Sequence, residues 1–244
     1  MVAVKFLPFT ALAALGLLAG TAAAQPADAG SDFQSAQIIE TVEPFFPMPL
    51  YREYIDGGHA GIEISVEADG KLGEWLAVRY TDRRFAELAI EAIKQWQFKP
   101  ALWHGRPVSV CMYLNFDFRV HGVIVDTSRD EALSAFIRGM QVGVDAYHPY
   151  DLKQLDRIPV PLQAPAPHYP HALAERGVAG TVKVAFYVDE KGAVRMISVE
   201  GRPAPELADL AADAVSHWKF EAPTVHGRPV LARLIQEFHF LPDR

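Results

Sequence analysis

The sequence predicts an α+β fold built twice: two tandem units, each a small antiparallel sheet of a hairpin, a helix and a third strand, with helical cover on one face. Three observations carry this reading. The run HGRPV at residues 104–108 returns letter for letter at residues 226–230, an offset of 122 positions (226 − 104). The same offset brings Gly58 onto Gly180, Gly70 onto Gly192, Trp96 onto Trp218, Phe98 onto Phe220, and Phe116 and Phe118 onto Phe238 and Phe240, with no gap between. A chance pentapeptide would not bring glycine and aromatic positions into register on both sides of it, so the chain is a duplication. Second, each copy holds runs of strict period two; third, each holds one stripe of helical period. The unit is too long for a solenoid repeat and large enough for a small core of its own.

Each element follows in order. In the second copy Val182, Val184, Phe186 and Val188 alternate with Lys183, Ala185 and Tyr187, which predicts a half-buried strand, and residues 189–192 (DEKG) supply a tight turn. Val194, Ile197 and Val199 form the returning strand. The first copy repeats this with Ile62, Ile64 and Val66, a turn at Ala68, Asp69 and Gly70, then Leu72, Trp75 and Ala77. Alternation breaks at the same place in both returning strands, which predicts a shared bulge. The helix comes next. Phe85, Leu88, Ala89, Ala92, Ile93 and Trp96 recur at helical spacing, and so do Leu207, Leu210, Ala211, Ala214, Val215 and Trp218. Glu87, Glu91 and Lys94 in one copy, and Asp209, Asp213 and His217 in the other, mark the solvated face. Asp82 is placed to cap the first helix, and the second begins after Pro203 and Pro205 with Glu206 in its first turn. The HGRP loop then leads into a third strand. Val108, Val110, Met112, Leu114, Phe116 and Phe118 share one face, as do Val230, Ala232, Leu234, Phe238 and Phe240, with Gln236 the polar interruption.

These readings divide the chain into residues 1–24, 37–120, 121–160 and 161–244. The first segment reads as a signal peptide: Lys5 supplies a positive charge, an apolar run too short to span a bilayer follows, and Ala22, Ala23 and Ala24 precede Gln25, predicting cleavage after Ala24 and export to a periplasm. No later stretch is apolar for long enough to cross a membrane. Residues 121–160 are a connector with a short helix expected at residues 128–143, and Pro159, Pro161, Pro165 and Pro167 make the entry to the second copy extended and stiff. The formal charge of −7, or −8 without Lys5, and the lack of a Lys/Arg cluster argue against nucleic acid and anionic membrane as main partners. Cys111 is the single cysteine, so no intrachain disulfide forms; alone on its strand face beside Ser109 and Tyr113, it reads as a plain free thiol.

The second copy strongly resembles the C-terminal domain of the TonB energy transducer. The matching residues are Pro167, Tyr169, Pro170, Ala172, Arg176 and Gly177, then Gly180, Thr181 and Val182, the turn from Val188 and Asp189 to Gly192, Ala211 and Ala214, Trp218, Lys219 and Phe220, Pro223, Gly227, Arg228, Pro229 and Val230, and Phe238 and Phe240. The first copy is a more divergent version, with Phe46 and Pro47 standing where Tyr169 and Pro170 do. The resemblance implies a protein-binding domain whose third strand adds an extended motif of an outer-membrane receptor to the sheet edge, a mode in which main-chain hydrogen bonds give affinity and alternate side chains give selectivity. Unlike a full transducer, this chain is expected to lose its N-terminal segment and has only a few prolines between its copies, which argues against energy transduction by itself.

The candidate partner-binding residues are therefore those on the third strands and their loops: Arg228, Arg233, Ile235, Glu237 and His239 in the second copy, Arg106, Ser109, Cys111 and Tyr113 in the first. Arg106 and Arg228 carry a planar cation at the same loop position, suited either to a partner's carboxylate or to closing its own domain's surface. His104 and His226 have no second ligand at metal spacing and read as parts of a turn, and Pro170 between His168 and His171 speaks against a helical metal pair. No cofactor or metal is implied. With no nucleophile, metal or nucleotide motif in the sequence, an enzyme is the least favoured class, behind a protein-binding module of the cell envelope and a self-associating scaffold.

Overall fold

The computed structural model of the chain describes residues 5–6, 33–120, 122–126 and 146–241. The helix expected at residues 128–143 and the cleavage site at Ala24 lie outside these. In chain order the first half comprises β1 (Lys5–Phe6), β2 (Phe33–Gln34), β3 (Gln37–Glu40), α1 (Met48–Arg52), β4 (Gly57–Val66), β5 (Leu72–Tyr80), α2 (Arg83–Ile93), β6 (Gln97–Lys99), β7 (Ala101–Trp103), β8 (Arg106–Val108), β9 (Val110–Arg119) and β10 (Gly122–Asp126). The second half comprises β11 (Tyr150–Asp151), β12 (Pro161–Gln163), α3 (His171–Glu175), β13 (Gly180–Val188), β14 (Val194–Glu200), α4 (Pro205–Ser216), β15 (Lys219–Phe220), β16 (Thr224–Val225), β17 (Arg228–Pro229) and β18 (Ala232–Phe240). The two main sheets run β10-β9-β4-β5 and β1-β18-β13-β14, and β11 also pairs with β18.

Each repeat closes its core in the same way. Ile62, Ile64 and Val66 of β4 and Leu114, Phe116 and Phe118 of β9 meet Phe85, Ala89 and Ile93 of α2, while Val182, Val184, Phe186 and Val188 of β13 and Leu234, Phe238 and Phe240 of β18 meet Leu207, Ala211 and Val215 of α4. The Asp82 carboxylate caps α2 by accepting from Arg84 N at 2.9 Å, and Pro205 opens α4 with Glu206 in the first turn. Trp96 and Trp218 are buried at the helix ends. Their indole N–H groups donate to Val42 O at 2.8 Å and Pro165 O at 2.9 Å, so each ring seals the core and ties down the chain entering its repeat. The shared bulge is present: between Ile64 and Val66 on β4, and between Ala185 and Tyr187 on β13, the returning strand holds one extra residue.

The repeated HGRP run forms the tip of a small hairpin that precedes the third strand rather than the start of that strand. Trp103 pairs with Arg106 and Val225 with Arg228, leaving two-residue loops. His104 and Gly105 have φ of 48° and 75°, and His226 and Gly227 have 49° and 71°. Two consecutive left-handed residues are the geometry of a type I′ turn, which explains the glycine and gives the histidine a backbone role.

The strand β13 is not half-buried as its alternation predicts, because the two sheets pack through their faces away from the helices. Val78, Tyr187, Met196 and Leu231 form a third buried cluster with Leu76, Cys111, Tyr113 and Tyr147 against it. Buried Glu63 of β4 accepts from the Tyr187 hydroxyl at 3.1 Å. Glu74 grips the bulge of β14, taking the Arg195 guanidinium and the Met196 N–H, the latter at 3.1 Å. Glu74 and Met196 are equivalent under the 122-residue offset, so the bulge of one repeat holds the bulge of the other.

Candidate functional site: the outer edge of the third strand

The third strands are the outer members of each hairpin-and-strand unit, and what lies along their free sides decides whether a partner strand can be added. Tyr150 N donates to Leu231 O at 2.9 Å, so Leu231 directs its backbone groups away from β13. Backbone groups alternate sides along a strand, which places the N–H and C=O of Arg233, Ile235, Glu237 and His239 on the outer edge. The sheet register agrees: Lys5 of β1 lies opposite His239 and Phe6 opposite Phe238, antiparallel to β18.

Three of the sequence-predicted residues of the second copy are therefore already engaged in some way. Arg233 pairs through its backbone with Asp151 and through its guanidinium with Glu200 Oε1 at 3.0 Å, so it belongs to the fold more than to an open edge. His239 Nδ1 sits 2.9 Å from Thr181 Oγ1 and its backbone faces Lys5. The Glu237 carbonyl accepts from the Gln236 side chain at 2.9 Å. Ile235 is exposed, and Gln236, the polar interruption in the apolar face, is buried.

The first copy differs. Its third strand is paired on the outer side by β10, from Gly122 opposite Arg119 to Asp126 opposite Asn115. The sequence reading of an open edge fails for that half of β9, because the chain leaving the repeat folds back on it. Cys111 and Tyr113 lie on the other half, and Ser109 immediately precedes it. Ser109 Oγ donates to Glu67 Oε2 at 2.8 Å and accepts from Ala68 N at 3.2 Å, tying down its own hairpin turn. The Cys111 thiol donates to Ile197 O of the second repeat at 3.4 Å, and the Tyr113 ring covers Gly61 on the face that packs against that repeat. Cys111 and Tyr113 thus sit at the seam between repeats, not on a free surface.

Arg106 and Arg228 stand exposed beside the two type I′ turns, with no ion pair among the described residues. The turn of the second copy already holds a carboxylate: His226 N and Gly227 N both donate to Asp156 at 2.8 Å. These two N–H groups, Gly227's first, hold the Asp156 carboxyl below the usual carboxylate range. Among the described residues no group of three or more His, Cys, Asp or Glu could hold a metal ion.

The residues that sequence reasoning missed are the connector's. Tyr147 stacks on Tyr80 of the first repeat, with ring centroids 4.8 Å apart, and its hydroxyl reaches Glu190 of the second at 2.5 Å. Burial first, then Glu190, pushes the Tyr147 phenol far up. Tyr150 and Asp151 next pair with Ala232 and Arg233. The only signal in the sequence was the pair of tyrosines in a polar stretch.

The chain belongs to the family described as Gram-negative bacterial TonB protein C-terminal, whose model matches twice, at residues 42–120 and 165–242, more than half of the chain. Among individual relatives it is similar to Protein TonB of Xanthomonas campestris pv. campestris, in strain B100 and in strain ATCC 33913, with 41% identity over 69 residues in each case. That match spans 28% of this chain and 31% of the relative's length.

Proposed function

We propose that the protein is a periplasmic protein-binding module that engages cell-envelope proteins, outer-membrane receptors among them, by strand addition to β18. In this reading residues 1–24 are a leader cleaved after Ala24, residues 37–120 and 161–244 are the two repeats, and residues 121–160 connect them. The carrying observation is that the outer edge of β18 accepts an antiparallel strand, and that this strand, β1, lies within the leader. Cleavage vacates it. The edge then presents residues 234–240, with β11 as a fixed stop at Arg233, and the outward amides of Ile235, Glu237 and His239 receive the partner. The family membership supports a binding role without catalysis.

A crosslinker placed at Ile235 in the chain starting at Gln25 should capture a distinct envelope protein, and Ile235→Pro or Glu237→Pro should abolish capture while the fold survives, since proline removes one outward donor and blocks pairing. Capture only of a second copy would favour the scaffold reading, and full capture by both proline variants would rule out strand addition.

A further inference from the structure

The first repeat carries a surface that the second lacks. α1 and α3 are the same single-turn helix, closed in the same way: Tyr54 and Gly177 follow with φ of 62° and 65°. Their N–H groups reach Tyr51 O at 3.1 Å and Ala174 O at 3.0 Å, and the next residues, Ile55 and Val178, return to Leu50 O and Leu173 O at 3.0 Å. Glycine adopts this left-handed backbone freely, whereas a tyrosine there is strained. Packing does not account for the tyrosine, because Tyr54 is 97% exposed. Backbone strain under an exposed side chain points to function rather than folding.

Tyr54 is not isolated. Phe45 is 84% exposed, and Met48 and Tyr51, three residues apart on one helical face, are each more than half exposed. The matching positions of α3 are His171 and Ala174. The surroundings are acidic. Arg84 is shared between Glu53, at 2.8 and 2.9 Å, and Asp82, at 2.8 Å, so one cation meets two carboxylates. Glu43 and exposed Asp56 add negative charge, which Arg52 offsets only in part, while Arg83 and Arg119 are paired with Glu87 and Asp117.

Charge decides among the occupants. A second copy of this acidic chain would bring more negative charge, and an anionic lipid surface would be repelled. We infer that Phe45, Met48, Tyr51 and Tyr54 form a docking ridge for a cationic, arginine-bearing segment of a partner protein, with guanidinium groups stacked on the tyrosine rings inside the acidic rim. This surface is separate from the β18 edge and acts whether or not that edge binds.

The probe is a decapeptide alternating arginine and serine, titrated into the full chain carrying 13C-labelled tyrosine rings. It should shift the ring resonances of Tyr51 and Tyr54, assigned with Tyr51→Phe and Tyr54→Phe, and the same peptide with citrulline in place of arginine should not. Tyr54→Gly should weaken the arginine peptide about two- to fivefold yet raise the melting temperature by about 2–4 °C. Tyr54→Phe should retain both parent values. The inference is overturned if the citrulline peptide shifts the rings equally, if the arginine peptide shifts neither, or if Tyr54→Gly keeps full affinity. It is also overturned if the rings respond instead to phosphatidylglycerol vesicles or to protein concentration.

Discussion

The two repeats share a core and differ at their edges. Trp96 and Trp218 donate to carbonyls in matching positions, the bulges coincide, and the type I′ turns have nearly the same dihedral angles. Yet β10 closes half of the outer side of β9, while among the described residues β18 has only short partners at its two ends. Positions buried against a helix tolerate little change after a duplication, because a lost methylene or a misplaced ring costs stability directly. Edge positions are free to diverge. Under the proposed function the first repeat supports and the second receives the added strand, and variants made in matched pairs separate these two roles.

The largest effect is expected from the indoles. Trp96→Ala and Trp218→Ala should each cost about 3–5 kcal/mol, read by denaturant unfolding, and hydrogen exchange should show the loss concentrated in the altered repeat. An unchanged stability for either would mean that the ring is not a core seal. The seam comes next. Tyr187→Phe leaves buried Glu63 without that donor and should cost about 1–3 kcal/mol, with exchange rising in both β4 and β13. If only β13 loosened, the repeats would not be coupled through this bond.

Matched glycines give a graded comparison. Gly70 and Gly192 have φ of 82° and 81°; a Cβ on Gly70 would lie 2.8 Å from Phe98 O, whereas one on Gly192 would run into the Phe220 carbonyl. Gly192→Ala should therefore lower the melting temperature more than Gly70→Ala. Equal losses would show that backbone strain alone, not the approach of the neighbouring strand, sets the cost.

The smallest effect is expected from Asp156, which is exposed. Its folded-state pKa is depressed by the Gly227 and His226 N–H groups, so its contribution is fully present above the unfolded value of about 4 and is lost as pH falls through the lower folded value. Asp156→Asn should lower the melting temperature slightly at neutral pH, and parent and variant should converge under acid conditions. A gap that stays constant as the pH is lowered through the acid range would mean that the turn does not depend on the carboxylate's charge.

The core was legible in the sequence because period and spacing are local. The stripe from Phe85 to Trp96 and the alternation from Val182 to Val188 each specify a buried face without knowledge of distant segments. The seam was not legible: Glu63 and Tyr187 alternate as outward residues of a half-exposed strand would, and only the packing of one repeat on the other buries them. The same reason explains Cys111 and Tyr113, read as edge residues and found at that seam. Arg233 was chosen for its exposed parity, but Glu200 and Asp151 reach it from elements far away in sequence. Tyr54 was invisible as a helix terminator because the signal there is normally a glycine, and the second repeat has one at Gly177.

If β18 offers an open row of outward amides once the leader is gone, amide hydrogen exchange in the chain starting at Gln25 will show it. Leu234 and Gln236, paired to β13, should exchange slowly, while Ile235 and Glu237 exchange quickly in the free protein and become protected when the crosslink-identified partner is added. Fast exchange at Ile235 and Glu237 that persists in the complex, or slow exchange at both before any partner is present, would contradict it.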